Sequence, residues 1–382
     1  MDENMKKIWI GIIIFALVIL AAVLVVTQLK REAAKIEIGV ITPLTGPAAK
    51  YGESTKRGLD LAASELNLGE SINGKTISLI YEDSKTEPKE AVSAFQKLTT
   101  IHKLRVVIGA LTSSEFLAIA PIAEDKKVIL FTPSASAPQI TNAGDYIFRN
   151  CYSDIYEGTK IAQYITNETE YKKIAILHIN NDYGLGLRDA FKNELMKKES
   201  GEIIDVEMYD LTATDFRTPL SKIKASNPDA LYIVGYGEMG RILRETKELG
   251  LNIPIFSNIM FEDPDILNIA KEAAEGVIYA YPSYSPENMQ GNIVSFIQKF
   301  EKEYGQIPDI YAATAYDALN ILALAIKNGG ENSSQIKETL YSIKDYPGVT
   351  GKTTFDKNGD VIKPVGIKKV ILGEFKWIKY TY

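Results

Sequence analysis

The stretch Val106–Thr141, VVIGALTSSEFLAIAPIAEDKKVILFTPSASAPQIT, decides the fold that we predict. Short apolar runs at Val106–Gly109 and Val128–Phe131 are typical of buried parallel strands. Between them, apolar residues recur at helical spacing from Phe116 to Ile122. This order of strand, helix and strand indicates an α/β fold with parallel sheets.

A small polar turn follows each of these two strands. Thr112–Ser114 lies where the first strand ends and the helix begins, and unpaired backbone N–H groups and the helix dipole favour an anion there. Ser134–Ser136 places similar groups after the second strand. Such residues are also ordinary helix N-caps, so one turn alone would indicate nothing more. Because both turns lie at the carboxyl edge of one sheet, we predict a pocket for a small carboxylate.

The two turns, with Pro121, Pro133 and Pro138 around them, resemble the type I periplasmic binding proteins, in the Leu/Ile/Val-binding branch that serves ABC importers. The resemblance covers nearly the whole chain after residue 35, through segments in family order. These segments are IGVITPLTGPAAKYGESTKRGLDLAASELN, YEDSKTEPKEAVSAFQKL, FRNCYSD, INNDYGLGL, GYGEMGRILRETKELGL, EAAEGVIYAYP and PDIYAATAYDALNILALAI. The resemblance implies a two-lobed α/β fold in which each lobe is a parallel sheet flanked by helices.

The resemblance also implies that the chain crosses between the lobes three times, near Asn150, Tyr281 and Thr353. The corresponding division is residues 36–150 and 281–353 in lobe one, and residues 151–280 and 354–382 in lobe two. A chain of 382 residues exceeds what a single hydrophobic core usually supports, which agrees with two lobes.

The N-terminal segment predicts a membrane anchor. No charged residue occurs from Ile8 to Leu29, about 22 residues, which is long enough to span a hydrocarbon core. A cleaved secretory signal has a shorter apolar core and a small-residue cleavage site. We therefore expect residues 1–35 to form a cytoplasmic tail, a transmembrane signal anchor and a linker. Basic residues flank both sides, so charge leaves the orientation open, and the resemblance implies an extracytoplasmic binding domain.

Composition argues against several other classes of protein. The chain is 46% hydrophobic and 24% charged, which are ordinary globular values. Its net charge of −6, without a dense run of lysine and arginine, argues against nucleic-acid binding. Cys151 is the single cysteine, so we expect neither an internal disulfide nor a lipid-modified N-terminus, and we expect its side chain to be buried.

One motif supports a competing interpretation. Gly235–Gly240 matches G-x-G-x-x-G after a strand and before a helix, which is the dinucleotide-binding pattern. The next strand, Ile253–Phe256, is followed by serine and asparagine rather than by the acidic residue that would bind a ribose. We therefore favour a close backbone approach at these glycines, and we expect no cofactor.

Motifs of enzymes are missing from the sequence. It contains two histidines, His102 in a polar connection and His178 inside an apolar strand, and no metalloprotease, CxxC, P-loop or nucleophile-elbow pattern. We predict a binding protein that is not an enzyme, with no catalytic residue and no metal site.

The resemblance implies the residues that bind the ligand. In lobe one, the Ser113 hydroxyl, the Ala135 backbone and the Ser136 hydroxyl and amide would hold a carboxylate by charge-assisted hydrogen bonds. Tyr183 and Tyr236 of lobe two would close over it and exclude water. The remaining predicted contacts in lobe one are Tyr51, Leu111 and Thr112.

One position departs from the family pattern, since the ammonium-binding glutamate of the family aligns with Ile259. A neutral residue there leaves a buried ammonium group without a counter-charge. Either Glu262, Glu238 or Asp154 substitutes for that glutamate, or the ligand lacks an α-amino group and is another small carboxylate or an amide.

Two functions remain open at this point. The first is the substrate-binding subunit of an ABC importer, which would deliver a branched-chain or other hydrophobic amino acid, or a related small carboxylate, to the permease and ATPase subunits. The second is a ligand-sensing ectodomain that signals through a separate membrane partner. The resemblance favours the importer.

Overall fold

In the computed structural model of the protein, the described residues are 34–379 except 70–71, 198–200, 283 and 285–290, together with positions 5, 9, 14 and 17–20. Within this part of the chain, no helix has both the length and the apolar character needed to cross a membrane. The predicted signal anchor, Ile8–Leu29, lies for the most part outside the described residues.

The first part of the chain forms a sheet of five parallel strands. These are β1 (Lys35–Thr42), β2 (Thr76–Asp83), β3 (Val106–Gly109), β4 (Ile129–Thr132) and β5 (Ile147–Arg149). They lie in the order β2-β1-β3-β4-β5. Strands β3 and β4 match the two apolar runs of the sequence and are buried along their whole length, as expected for parallel strands covered on both faces. The helices between the strands are α1 (Ala49–Leu68), α2 (Pro88–Gln96) and α3 (Ser113–Lys126).

A second sheet follows, with a helix before its first strand and between successive strands. Its strands are β6 (Lys173–Ile179), β7 (Glu202–Tyr209), β8 (Ala230–Val234), β9 (Ile255–Ser257) and β10 (Ile278–Pro282). Its helices are α4 (Asp154–Glu168), α5 (Asp182–Lys197), α6 (Arg217–Ser226), α7 (Met239–Glu248) and α8 (Pro264–Ala270). These five strands are parallel to one another. The strictly alternating order of elements accounts for this arrangement, because a helix carries the chain back to the start of each new parallel strand.

The chain then returns to the first sheet. Its next helices are α9 (Asn292–Tyr304), α10 (Ile310–Gly329) and α11 (Ser333–Ser342), followed by a short hairpin of β11 (Tyr346–Gly348) and β12 (Gly351–Thr353). Leu319 and Leu322 of α10 are fully buried in one core with Ile38 of β1 and Phe131 of β4. The first lobe is thus completed by residues from two distant parts of the sequence.

The last two strands, β13 (Val365–Ile371) and β14 (Glu374–Lys379), join the second sheet as an antiparallel pair. The completed order is β14-β13-β10-β9-β8-β6-β7. Leu372 and Gly373 connect the pair with positive φ angles of 55° and 72°, the backbone conformation of a tight hairpin turn. The prediction of a two-lobed α/β fold with parallel sheets is therefore confirmed, with the correction that lobe two carries an antiparallel edge.

The third crossing between the lobes differs in place from the sequence expectation near Thr353. Phe355 and Val361 still pack in the core of the first sheet, and the chain enters the second sheet only at Val365. An ion pair between Asp360 and the buried Arg149 guanidinium, at 2.6 Å, ties this segment to β5 and explains why it stays with lobe one.

Candidate functional site

The first polar turn is fixed by one glycine and one helix cap. Gly109, the last residue of β3, has a φ angle of +116°, and a Cβ atom there would lie 2.0 Å from the Ile41 carbonyl oxygen, so only glycine fits. Thr112 then caps α3 in a capping box with Glu115, whose carboxylate accepts the Thr112 N–H at 3.0 Å and the Thr112 hydroxyl at 2.6 Å. Helix α3 therefore begins with Ser113 at the edge of the sheet.

The second polar turn is hydrogen-bonded to the first. The Ser113 hydroxyl oxygen accepts the N–H groups of Ser136 at 3.3 Å and Ala137 at 3.1 Å. The Ala135 N–H donates to the Thr132 hydroxyl at 2.9 Å. The amides of Ala135 and Ser136, expected to bind a ligand, thus have partners within the protein, whereas the Ser113 hydroxyl keeps its own proton available as a donor.

A buried arginine holds the second turn in place. The Arg149 side chain is fully buried and donates from one terminal nitrogen to the carbonyls of Ser136 at 3.1 Å and Ala137 at 3.0 Å. Its other terminal nitrogen donates to Thr141 at 2.7 Å and to Asp360 at 2.6 Å. Arg149 is therefore a positioning residue for the turn.

A cleft of about 740 Å³, including its opening to solvent, lies between the lobes beside these turns. Seven of the predicted residues line it: Leu111, Thr112, Ser113, Ser136, Tyr183, Tyr236 and Ile259. Residues of the cleft wall that the sequence analysis did not predict as ligand contacts are Pro133, Ser134, Asn150, Cys151, Tyr152, Glu157, Met260, Pro282, Ile310, Tyr311, Thr314, Thr350 and Lys363. Most of these additional residues come from the three crossings between the lobes and from helices α4 and α10.

Two stacked tyrosines form part of the wall on the side of lobe two. The rings of Tyr183 and Tyr236 lie 5.5 Å apart and 8° from parallel. Asn258 donates to the Tyr183 hydroxyl at 2.7 Å and Asn181 donates to the Tyr236 hydroxyl at 3.3 Å, which fixes both rings. The pair presents a flat, largely apolar surface to the cleft.

The lobes touch each other across the mouth of the cleft. Ser114 of lobe one donates to the Asp182 carboxylate of lobe two at 2.6 Å. The Lys50 ammonium pairs with Asp263 at 2.6 Å and also with Asp265. These contacts between the lobes are those of a closed form.

Comparison with known proteins places this architecture in a family. The family profile described as periplasmic binding protein matches residues 35–371. The chain belongs to the periplasmic binding protein family. Among curated relatives, this periplasmic binding protein is similar to a Leu/Ile/Val-binding protein of Rhizobium johnstonii, with 30% identity over 335 residues, 86% of this chain and 89% of the relative.

Solved structures of family members have the same fold. The branched-chain amino acid transporter substrate-binding protein LivJ of Streptococcus pneumoniae, solved with isoleucine, is 29% identical, with a TM-score of 0.83 over 91% of this chain and 99% of its own. A solute-binding protein of an ABC transporter from Rhodopseudomonas palustris, solved with 3,4-dihydroxybenzoic acid, is 26% identical, with a TM-score of 0.80 over 91% of this chain and 96% of its own.

Four residues predicted to contact the ligand of this periplasmic binding protein do not line the cleft. Tyr51 packs on Tyr311 at the boundary between the lobes, with ring centroids 5.1 Å apart. Ala135 is buried behind Cys151, whose thiol donates to the Ala135 carbonyl at 3.2 Å. The remaining two, Asp154 and Glu262, are acids held elsewhere in lobe two.

Three acids were considered above as replacements for the family glutamate that aligns with Ile259, and each of them interacts with other groups of the protein. The Glu262 carboxylate is bound by Lys368 and by the Tyr279 hydroxyl. Glu238 accepts the Tyr209 hydroxyl at 2.7 Å and the Tyr236 N–H at 2.9 Å. Asp154 is fully buried, and burial raises its pKa to about 7 against the opposing effects of the Ser136 hydroxyl and the Arg149 charge. None of the three reaches the cleft wall.

One carboxylic acid and one amine, Glu157 and Lys363, line the described part of the cleft, and the sequence analysis missed both. Glu157 follows Asp154 by one helical turn on α4 and is 1% exposed. Lys363, at the third crossing, donates to Thr350 at 2.6 Å and to Thr353 at 3.0 Å, and burial lowers its pKa to about 8. The D-x-x-E spacing of Asp154 and Glu157 was a usable signal, because it places both acids on one helix face. No comparable sequence pattern pointed to Lys363.

Side chains of the protein itself occupy the space beside the glycine-rich loop between β8 and α7. A Cβ atom on Gly235 would lie 2.1 Å from the Tyr209 hydroxyl, which shows how closely the Tyr209 side chain approaches this loop. The Glu238 carboxylate accepts the backbone N–H of Tyr236 in this loop, at 2.9 Å. A carboxylate of the chain itself thus occupies the region where a dinucleotide-binding loop would receive phosphate.

Proposed function

We propose that this periplasmic binding protein is the extracytoplasmic substrate-binding subunit of an ABC importer, and that it has no catalytic activity. It captures a small carboxylate, most simply an amino acid with a hydrophobic side chain, and delivers it to the permease and ATPase subunits. The observation that carries the proposal is the closed cleft, in which the hydroxyls of Ser113 and Ser136 face the stacked Tyr183 and Tyr236. Hydroxyls suit a carboxylate, and the aromatic wall suits an apolar side chain.

The relatives support two ligand classes. The Rhizobium relative is named for binding Leu, Ile and Val, whereas the Rhodopseudomonas relative was solved with an aromatic acid that has no amino group. The neutral residue at Ile259 favours the second class, and the acid Glu157 in the cleft wall favours the first. The two classes share the carboxylate, so the Ser113 and Ser136 hydroxyls serve either one.

Calorimetric titration of the full chain in mild detergent tests the proposal. The panel consists of leucine, isoleucine and valine, the deaminated analogue isocaproate, 3,4-dihydroxybenzoate, and leucinamide, which lacks the carboxylate. We expect at least one carboxylate to bind with its affinity far above that of leucinamide, because only a carboxylate forms charge-assisted hydrogen bonds with both hydroxyls. Binding of no carboxylate in the panel, or equal binding of leucinamide, would contradict the proposal.

We also propose that the segment Ile8–Leu29 anchors the protein in the membrane with residues 36–382 on the extracytoplasmic side. The segment carries no charge. Its described positions Leu17–Leu20 are helical, and their apolar side chains are about half exposed, which is unfavourable in water. We expect the full chain to sediment with membranes after an alkaline wash, and a chain lacking residues 8–29 to stay in the supernatant. An alkaline phosphatase fused after Tyr382 should be active; an inactive fusion would contradict the topology.

A further inference from the structure

We propose that the buried carboxyl group of Glu157 binds a cationic group of the ligand, so that the cleft selects a zwitterion rather than a simple acid. The inference rests on the proposed function and names the class of ligand that the same cleft takes. It also assigns a role to an acid that the sequence analysis did not consider.

Glu157 is placed to meet a ligand from the side of lobe two. Its side chain projects from the first turn of α4 to the cleft wall and is 1% exposed. One carboxyl oxygen accepts the Ile259 N–H at 2.6 Å, and the other accepts the Tyr152 hydroxyl at 3.2 Å. Two hydrogen bonds fix the orientation of the group, yet a carboxylate offers about four acceptor positions. Capacity therefore remains for a donor that arrives with the ligand.

No cation of the described chain compensates this carboxyl group. None of the ion pairs formed within the described residues includes Glu157, whereas the neighbouring acid Glu262 is paired with Lys368. Lys363, the cation in the cleft wall, is held by Thr350 and Thr353 on the lobe-one side of the crossing. A buried carboxylate without a counter-charge is costly, so Glu157 either stays protonated or acquires a cation.

The groups around Glu157 favour the protonated form while the cleft is empty. Burial, and next the negative charge of Asp154, raise the pKa of Glu157 well above its usual range. The negative charge of Glu157 acts on four tyrosines of other segments, and burial, the larger cause, raises the pKa of each of these as well, so they stay neutral at neutral pH. These tyrosines are Tyr152, Tyr183, Tyr232 and Tyr311. Burial likewise raises the pKa of Asp154, to about 7.

An amino acid satisfies both sides of the cleft at once. Its carboxylate meets the Ser113 and Ser136 hydroxyls of lobe one, and its ammonium group meets Glu157 of lobe two. The ligand then bridges the lobes with opposite charges. An acid without an amino group leaves Glu157 with its proton and gains only the first of these contacts.

Binding of the cation is therefore coupled to proton release. The ammonium group favours the ionised form of Glu157, so the proton held in the empty cleft passes to the buffer when the ligand binds. Because protons are a product of this reaction, affinity for the amino acid rises with pH, by up to tenfold per pH unit below the pKa of Glu157. Affinity for isocaproate lacks this dependence.

The test is calorimetry with leucine at pH 6, in two buffers of different ionisation enthalpy, on the wild type and on Glu157→Gln. Glutamine keeps an oxygen for the Ile259 N–H but carries no charge. We expect the wild type to release close to one proton per leucine, and the variant to release almost none and to bind leucine at least tenfold more weakly. The control is Glu245→Gln, a buried glutamate of α7 that accepts the Phe216 N–H at 2.7 Å and does not line the cleft; it should behave as the wild type.

Three outcomes overturn the inference: unchanged leucine affinity and proton release in Glu157→Gln, no proton release in the wild type, or isocaproate binding as tightly as leucine. The last two are measured on the wild type alone, so they hold even if the variant does not fold. All three leave carboxylate binding intact, whereas failure of every carboxylate in the panel would overturn the proposed function itself.

Discussion

Replacement of both hydroxyls in the double variant Ser113→Ala, Ser136→Ala lowers the affinity for the ligand carboxylate at least tenfold. Each hydrogen bond to a charged group contributes about 1.5–3 kcal/mol, and a loss of about 1.4 kcal/mol already weakens binding tenfold. Ser113 has a second role, because its oxygen accepts the Ser136 and Ala137 N–H groups and joins the two turns. Its loss therefore also loosens the second turn.

Calorimetry of the two single variants and the double variant separates these roles. Ser136→Ala removes a hydroxyl from the cleft, whereas Ser113→Ala removes a hydroxyl and the contact between the turns, so Ser113→Ala should have the larger effect. Ser226→Ala is the control, since its hydroxyl bonds the Ile223 carbonyl at 2.8 Å in lobe two, away from the cleft. An unchanged titration in the double variant would show that the ligand carboxylate lies elsewhere.

Replacement of Arg149 by methionine has the largest expected effect on stability. The variant removes the counter-charge of the Asp360 carboxylate and the hydrogen bonds that Arg149 donates to the carbonyls of Ser136 and Ala137. Removal of one partner of a buried ion pair typically costs about 3–5 kcal/mol. The midpoint of urea-induced unfolding should therefore fall clearly, together with ligand affinity, because the second turn loses its support.

Asp360→Asn is the matched comparison for Arg149→Met. Asparagine keeps an oxygen that can accept from Arg149, and Asp360 is partly exposed, so the midpoint should fall less than in Arg149→Met. A loss of unfolding free energy in Arg149→Met smaller than about 1 kcal/mol would mean that the site relaxes or admits water. It would contradict the role of Arg149 in positioning the turn.

The regular elements and the two turns could be predicted from the sequence because their causes are local. Strands β3 and β4 are uninterrupted apolar runs, and the capping box of Thr112 and Glu115 lies within four residues. The antiparallel pair β13 and β14 escaped prediction because its partner strand β10 lies about 85 residues earlier in the chain. No local pattern records that pairing.

The part of the site that could be predicted also has local causes in the sequence. Ser113 and Ser136 follow from the order of strand and turn, and both line the cleft. The choice between Asp154 and Glu157 depends on where α4 packs: the two acids share a helix face, yet only the second lines the cleft wall. Glu262 looked available in the sequence, but Lys368, more than 100 residues later, binds it.

The sequence by itself determined the alternation of strands and helices, the polar turns at the sheet edge, and the family, because each of these depends on residues that are close together in the sequence. Only the tertiary structure decided which charged groups line the cleft. Glu157 and Lys363 are about 200 residues apart in the sequence, and both line the cleft because the chain crosses between the lobes three times. Burial then sets their chemistry, because the free energy of a charge depends on the water and counter-charges that the folded chain leaves around it.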